Sequence, residues 1–154
     1  MSALRPSWAR ANRERGGAMN VMTWLAVALG SALGGMARYG VGLAVARAVG
    51  AAFPWGTLLI NVVGSFVIGF YGALTVADGP MPASAELRAF VLVGLCGGFT
   101  TFSSFSMQTV DLLRGGEAGA AAVYIAASVA LCLAATFVGY WLASRVGLPL
   151  RLAP

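Results

Sequence analysis

The chain contains no lysine and no histidine; its ten basic residues are all arginine, set against five acids in 154 residues. Charged residues make up only 10% of it, far below the roughly 25% of an average soluble domain. Cysteine is scarce too, and both copies, Cys96 and Cys132, lie inside apolar runs. They read as two small buried hydrophobes, with neither the pairing of a disulfide framework nor the clustering of a metal cage. No His, Cys or Ser arrangement suits nucleophilic catalysis, and no GxxxxGK[ST] loop is present to cradle ATP. These absences argue against an enzyme. The +5 net charge is no nucleic-acid footprint, because Arg5, Arg10, Arg13 and Arg15 occupy an N-terminal tail and the others are scattered at helix ends.

What the chain has in abundance is apolar length. It is 59% hydrophobic, with a mean hydropathy of +0.83. Four apolar runs, at about 21–45, 55–76, 87–113 and 120–142, each approach or exceed the roughly 20 residues with which a helix crosses a bilayer. Ten-residue alternating segments of the β-barrel kind are missing. The expectation is an all-α, multi-pass membrane protein with one four-helix domain over 21–144, an arginine-rich tail over 1–20 and a short C-terminal tail over 145–154. The first tail does not read as a signal peptide. Met19 and Met22 stand just before the first run, so translation starting there is a further expectation. Pro80 and Pro82 make residues 77–86 a loop, and 114–119 form a short turn.

Inside the spans, polar and small residues fall at four-residue spacing: Gly30, Gly34, Arg38 and Gly42; Thr57, Asn61 and Ser65; Tyr124, Ser128, Cys132 and Thr136. Each set makes one stripe on a helix and turns toward protein or water rather than acyl chains. Helix packing alone accounts for glycine and hydroxyl stripes. Arg38 and Asn61 ask for more, because a guanidinium or amide at membrane depth must be paired or solvated. No acid lies well inside a span, whereas a proton-driven exporter or cation carrier needs a buried carboxylate. Arginine, amide and hydroxyls instead favour an anion.

The loops barely orient the chain. Without residues 1–18, Arg88, Arg145 and Arg151 lie on one side and Arg47 and Arg114 on the other, which is hardly a bias under the positive-inside rule. Including the tail gives seven against two and favours an inside N-terminus. On the shorter count the chain inserts both ways, and oppositely oriented copies can pair.

The stretch GGFTTFSSFS, residues 97–106, sits within the third run. Gly97 and Gly98 each lower helix propensity by about 1 kcal/mol relative to alanine, and the Thr100 and Thr101 hydroxyls compete for backbone groups. A break at the glycine pair is expected, freeing carbonyls that only protein, water or an ion can satisfy. Such oxygens suit a hard cation such as sodium, although a plain glycine kink reads equally well. Phe102 and Phe105 then share one face, with Ser103, Ser104 and Ser106 around them. The positive edges of their rings can attract a small anion.

With these residues in view, the chain resembles the Fluc/CrcB family of fluoride channels. GGFTTFSSFS is similar to the family's GGxTTFSTF signature, GTLLINVVGSF (56–66) to its second-helix motif and LGGMARYG (33–40) to its first. The resemblance implies an antiparallel, dual-topology homodimer in a bacterial inner membrane with two fluoride pores. It also implies a third helix broken mid-membrane and a central structural Na+, not transported, on the main-chain carbonyls of Gly97 and Thr100. Asn61, Phe102, Phe105, Ser103, Ser104, Tyr124 and Ser128 correspond to pore positions and Arg38 to the vestibule arginine; Cys132 stands where a hydroxyl is more usual. Passive fluoride export against fluoride toxicity is the implied role. The alternatives are a small dual-topology exporter of drugs or cations and a non-transporting membrane scaffold.

Overall fold

The structure, a computed structural model, describes residues 21–146. The expected N-terminal tail and the residues beyond 146 lie outside the described residues. The first span is α1 (Val21–Val49) and the second is α2 (Trp55–Leu74). The third is composite: a turn of helix α3 (Ala85–Arg88), a π-helical segment (Ala89–Cys96), α4 (Gly97–Phe99) and, past a two-residue gap, α5 (Phe102–Arg114). The last is α6 (Ala118–Val146), which carries helix two residues into the expected C-terminal tail. Among the described residues, four helical stretches are long and apolar enough to cross a membrane, with Ala85–Arg114 counted as one.

Local chemistry sets the ends. Gly50 (φ 84°) and Gly116 (φ 82°) close α1 and α5 in the left-handed conformation that suits a residue without Cβ. Ser84 caps α3 by accepting from Leu87 N–H at 3.2 Å. The 75–84 loop is fastened by Arg88, whose Nη1 donates to Thr75 Oγ1 (2.7 Å) and Gly72 O (3.2 Å). That arrangement satisfies the Gly72 carbonyl near the end of α2.

The helices pair through their small residues. α1 lies against the π-helical segment and α4, and α2 lies against α6. A Cβ added to Gly94 would sit 2.9 Å from Gly30 Cα, and one on Gly98 would sit 2.6 Å from Ser31 O. A Cβ on Gly139 would fall 2.8 Å from Phe70 N. These backbones meet with no room for a side chain, the close approach that drives helix association in lipid. The Gly30 and Gly34 part of the first stripe is therefore packing.

Few large side chains are buried among the described residues; Leu58, Ile60 and Tyr124 are, beside the small Cys96. Outward faces carry Leu25, Leu29, Leu33, Met36, Phe137 and Trp141 in the open. Such surface has lipid or another apolar surface as its solvent, and the chain is a multi-pass membrane protein.

Candidate functional site

The third span is interrupted where the two threonines stand, not at the glycine pair. Gly97 and Gly98 are helical, and the gap falls at Thr100 (φ −77°, ψ 159°) and Thr101 (φ −154°, ψ 110°), both extended. Glycine lowers helix propensity without forcing an end, whereas here side chains compete successfully for the backbone. Thr101 caps α5, its Oγ1 accepting from Ser104 N–H at 3.2 Å. Gly98 meets a different demand, the close approach of Ser31.

Asn61 holds the gap from α2. Its Oδ1 accepts from Thr101 N–H at 2.8 Å, and its Nδ2 donates to Thr101 O at 3.1 Å. An unbroken helix would have given Thr101 N–H to Gly97 O, so that carbonyl leaves the ladder. The Thr100 carbonyl has likewise lost Ser104 N–H to the cap, and Arg38 Nη1 donates to it from α1 at 3.2 Å. Thr100 N–H and Oγ1 both donate to Cys96 O at 2.9 Å. Thus the arginine and asparagine that demanded partners at membrane depth find them on two consecutive residues of a third element.

Two cavities flank the gap, and Thr101 lines both. One, of about 380 Å³, gathers Asn61, Phe102, Phe105, Ser128 and Cys132. Its two rings stand 5.3 Å apart at 46°. Phe105 packs on Tyr124 at 5.1 Å, while Phe102 is 78% exposed. The Ser128 Oγ is buried without a partner, and a primary amide has a second Nδ2 proton beyond the one Asn61 spends on Thr101. No carboxylate lines this cavity among the described residues. The other cavity, of about 490 Å³, gathers Arg38, Tyr39, Thr57 and Ser104, so a fixed positive charge faces hydroxyls there.

Asn61, Phe102, Phe105 and Ser128 are thus brought together, and Ser104 joins Arg38 on the other side of Thr101. Ser103 lines neither cavity; it is exposed, with its hydroxyl 3.3 Å from that of Thr101. Tyr124 lies behind the site, wholly buried, with its hydroxyl donating to Gln108 Oε1 at 2.9 Å. Gly97 lies on an open face, with nothing within 4 Å of where its Cβ would be. Thr136 serves packing, donating to Ser65 O at 3.1 Å across the α2–α6 contact. Sequence reasoning missed Thr101 as the residue joining everything, and Gln108 as the tyrosine's partner. The signal for Thr101 was available, since a threonine directly before an amphipathic run is an N-cap signature.

Comparison with known proteins identifies a family. The family described as CrcB-like protein, Camphor Resistance (CrcB), matches residues 25–140. The chain is 54% identical over 123 residues to a protein of Gluconobacter oxydans named fluoride-specific ion channel FluC, covering 79% of this chain and 85% of that one. A protein of the same name from Methylocella silvestris is 54% identical over 125 residues, 81% and 95% of the two chains. A third, from Opitutus terrae, is 50% identical over 117 residues, 76% of this chain and 89% of the relative.

Proposed function

The chain belongs to the CrcB-like family, and from that membership and the geometry of the gap we propose that it is a fluoride-specific channel carrying the ion passively out of the cell. One observation carries the reading: beside the break in a membrane helix, the Asn61 amide, two phenyl rings and Ser128, whose hydroxyl has no partner, line one cavity that no carboxylate lines among the described residues. Fluoride is small and strongly hydrated, so a path for it must replace water with fixed donors. Asn61 supplies its remaining N–H, Ser128 its hydroxyl, and Phe102 and Phe105 their electropositive ring edges. Arg38, in the adjoining cavity, raises the local concentration of anions before they enter.

The working unit in this reading is an antiparallel homodimer, which supplies the missing wall beside the exposed Phe102 and the open face at Gly97. The released Gly97 carbonyl and the extended Thr100 carbonyl are hard oxygen donors of the kind sodium prefers. They fit a resident, untransported Na+ shared between two copies, with Gly97 O the freer donor because Arg38 already engages Thr100 O. Such an ion would contribute fixed positive charge at the centre of the assembly.

Purified protein in sodium-loaded liposomes tests the function: fluoride efflux far faster than chloride efflux is expected, and no fluoride efflux overturns it. A coupled exporter of drugs or cations would instead move a cation against its gradient. Labelling single cysteines placed at either end of the chain reports orientation. Antiparallel pairing expects each end on both faces of the membrane, and one-sided labelling refutes it.

A further inference from the structure

Phe53 lies in the turn between α1 and α2 and lines neither cavity at the gap, yet a run of rings leads from it to the site. Its ring stands 5.5 Å from that of Tyr124 at 79°, and Tyr124 stands 5.1 Å from Phe105 at 51°. Phe53 is itself held at its base. Pro54 follows it and restricts its backbone, its carbonyl accepts from Trp55 N–H at 2.8 Å, and its ring packs on that of Trp55 at 4.6 Å.

The plane of Tyr124 needs such a neighbour. A tyrosine ring turns about the axis from Cβ to the hydroxyl oxygen, a broad twofold torsion. The bond to Gln108 Oε1 at 2.9 Å holds an atom on that axis, so it aims the ring without choosing its plane. Lateral contacts choose the plane, and a near-perpendicular pair of rings attracts edge to face. Phe105 has the same soft torsion, and its two ring neighbours are unequal: within one subunit Phe102 is open, whereas Tyr124 is wholly buried. Only the second is a fixed wall. We propose that Phe53 is a positioning residue for the ion path, setting the plane of Tyr124 and, through it, the direction in which the Phe105 ring edge points.

The effect on conduction rests on the proposed fluoride function, whereas the ordering of the rings does not. The test therefore reads two quantities: fluoride efflux from liposomes, and the 19F resonance of purified protein carrying 4-fluorophenylalanine in place of Phe105, whose shift registers the ring current of Tyr124. Phe53→Leu should move or broaden that resonance beyond the parent line width and lower efflux about two- to tenfold, the population shift that loss of one aromatic pair allows. Phe53 borders a cavity of about 490 Å³, so Phe53→Tyr has room for its hydroxyl, keeps the ring and should restore both readings. Phe53→Met gives the same comparison should Phe53→Leu fail to fold. A coincident resonance in the ring-less variant, a moved resonance with parent efflux, or no rescue by Phe53→Tyr overturns the proposal. Parent protein that carries no fluoride overturns the channel reading, and the 19F spectra then judge the ring relay by themselves.

Discussion

Asn61→Ala removes both ties between α2 and the gap, the bond accepted from Thr101 N–H (2.8 Å) and the bond donated to Thr101 O (3.1 Å). A net contribution of about 1 kcal/mol per hydrogen bond sets a loss of about 2 kcal/mol. It grows if the adjoining cavities fail to rehydrate Thr101, because an unsatisfied backbone group at membrane depth costs more than a lost bond. About 2 kcal/mol shifts a folded-to-unfolded ratio roughly 30-fold. For a chain of this length it lowers the melting temperature by about 4–8 °C. The assay pairs thermal unfolding of the purified dimer with fluoride efflux from sodium-loaded liposomes, and both should fall. Asn61→Asp separates the roles: the carboxylate still accepts from Thr101 N–H but faces Thr101 O with no donor and puts negative charge on the cavity wall. It should destabilise by a similar amount and abolish efflux more completely. An Asn61→Ala dimer that melts within about 1 °C of the parent and conducts at the parent rate would refute the tie.

Gly34→Ala drives a Cβ into Leu95 O and to 2.8 Å from Phe99 N; overpacking of this kind costs about 1–3 kcal/mol, and a lowered melting temperature checks it. Phe105→Ile keeps apolar bulk but removes the ring edge, so efflux should drop about tenfold with melting nearly unchanged; parent efflux would detach the ring from conduction. Replacing sodium on both sides of the membrane with a large organic cation should slow or abolish fluoride efflux, and indifference to the exchange would discredit the carbonyl site.

The four spans were legible because lipid imposes one simple demand, a long apolar helix, and the runs at 21–45 and 55–76 could hardly be anything else. The four-residue stripes were legible for the same reason. Their division of labour was partly legible as well, with Gly34 and Thr136 in packing and Arg38 and Asn61 needing partners, but not that both partners are backbone groups at the gap. The position of the gap was misplaced by three residues because intrinsic propensity singles out glycine. The outcome depended on Thr101 finding Asn61, 40 positions away, and a pairing that distant has no local signature. Ser103 and Ser104 look equivalent in the sequence, yet only the second faces Arg38 across a cavity.

The π-helical segment Ala89–Cys96 bears on all of this although it meets the gap through hydrogen bonds only at the Cys96 carbonyl. A π turn accommodates more residues than an α turn, and each residue of an α-helix advances its direction by about 100°. The segment therefore works as a phase setting between the end anchored by Arg88 and the residues that meet Arg38 and Asn61. Its register matters more than the identity of its apolar side chains. Exchanging one aliphatic for another there should pass almost unnoticed, while deleting a single residue would swing Thr100 and Thr101 about a quarter-turn or more away from their partners and dismantle the gap from a distance.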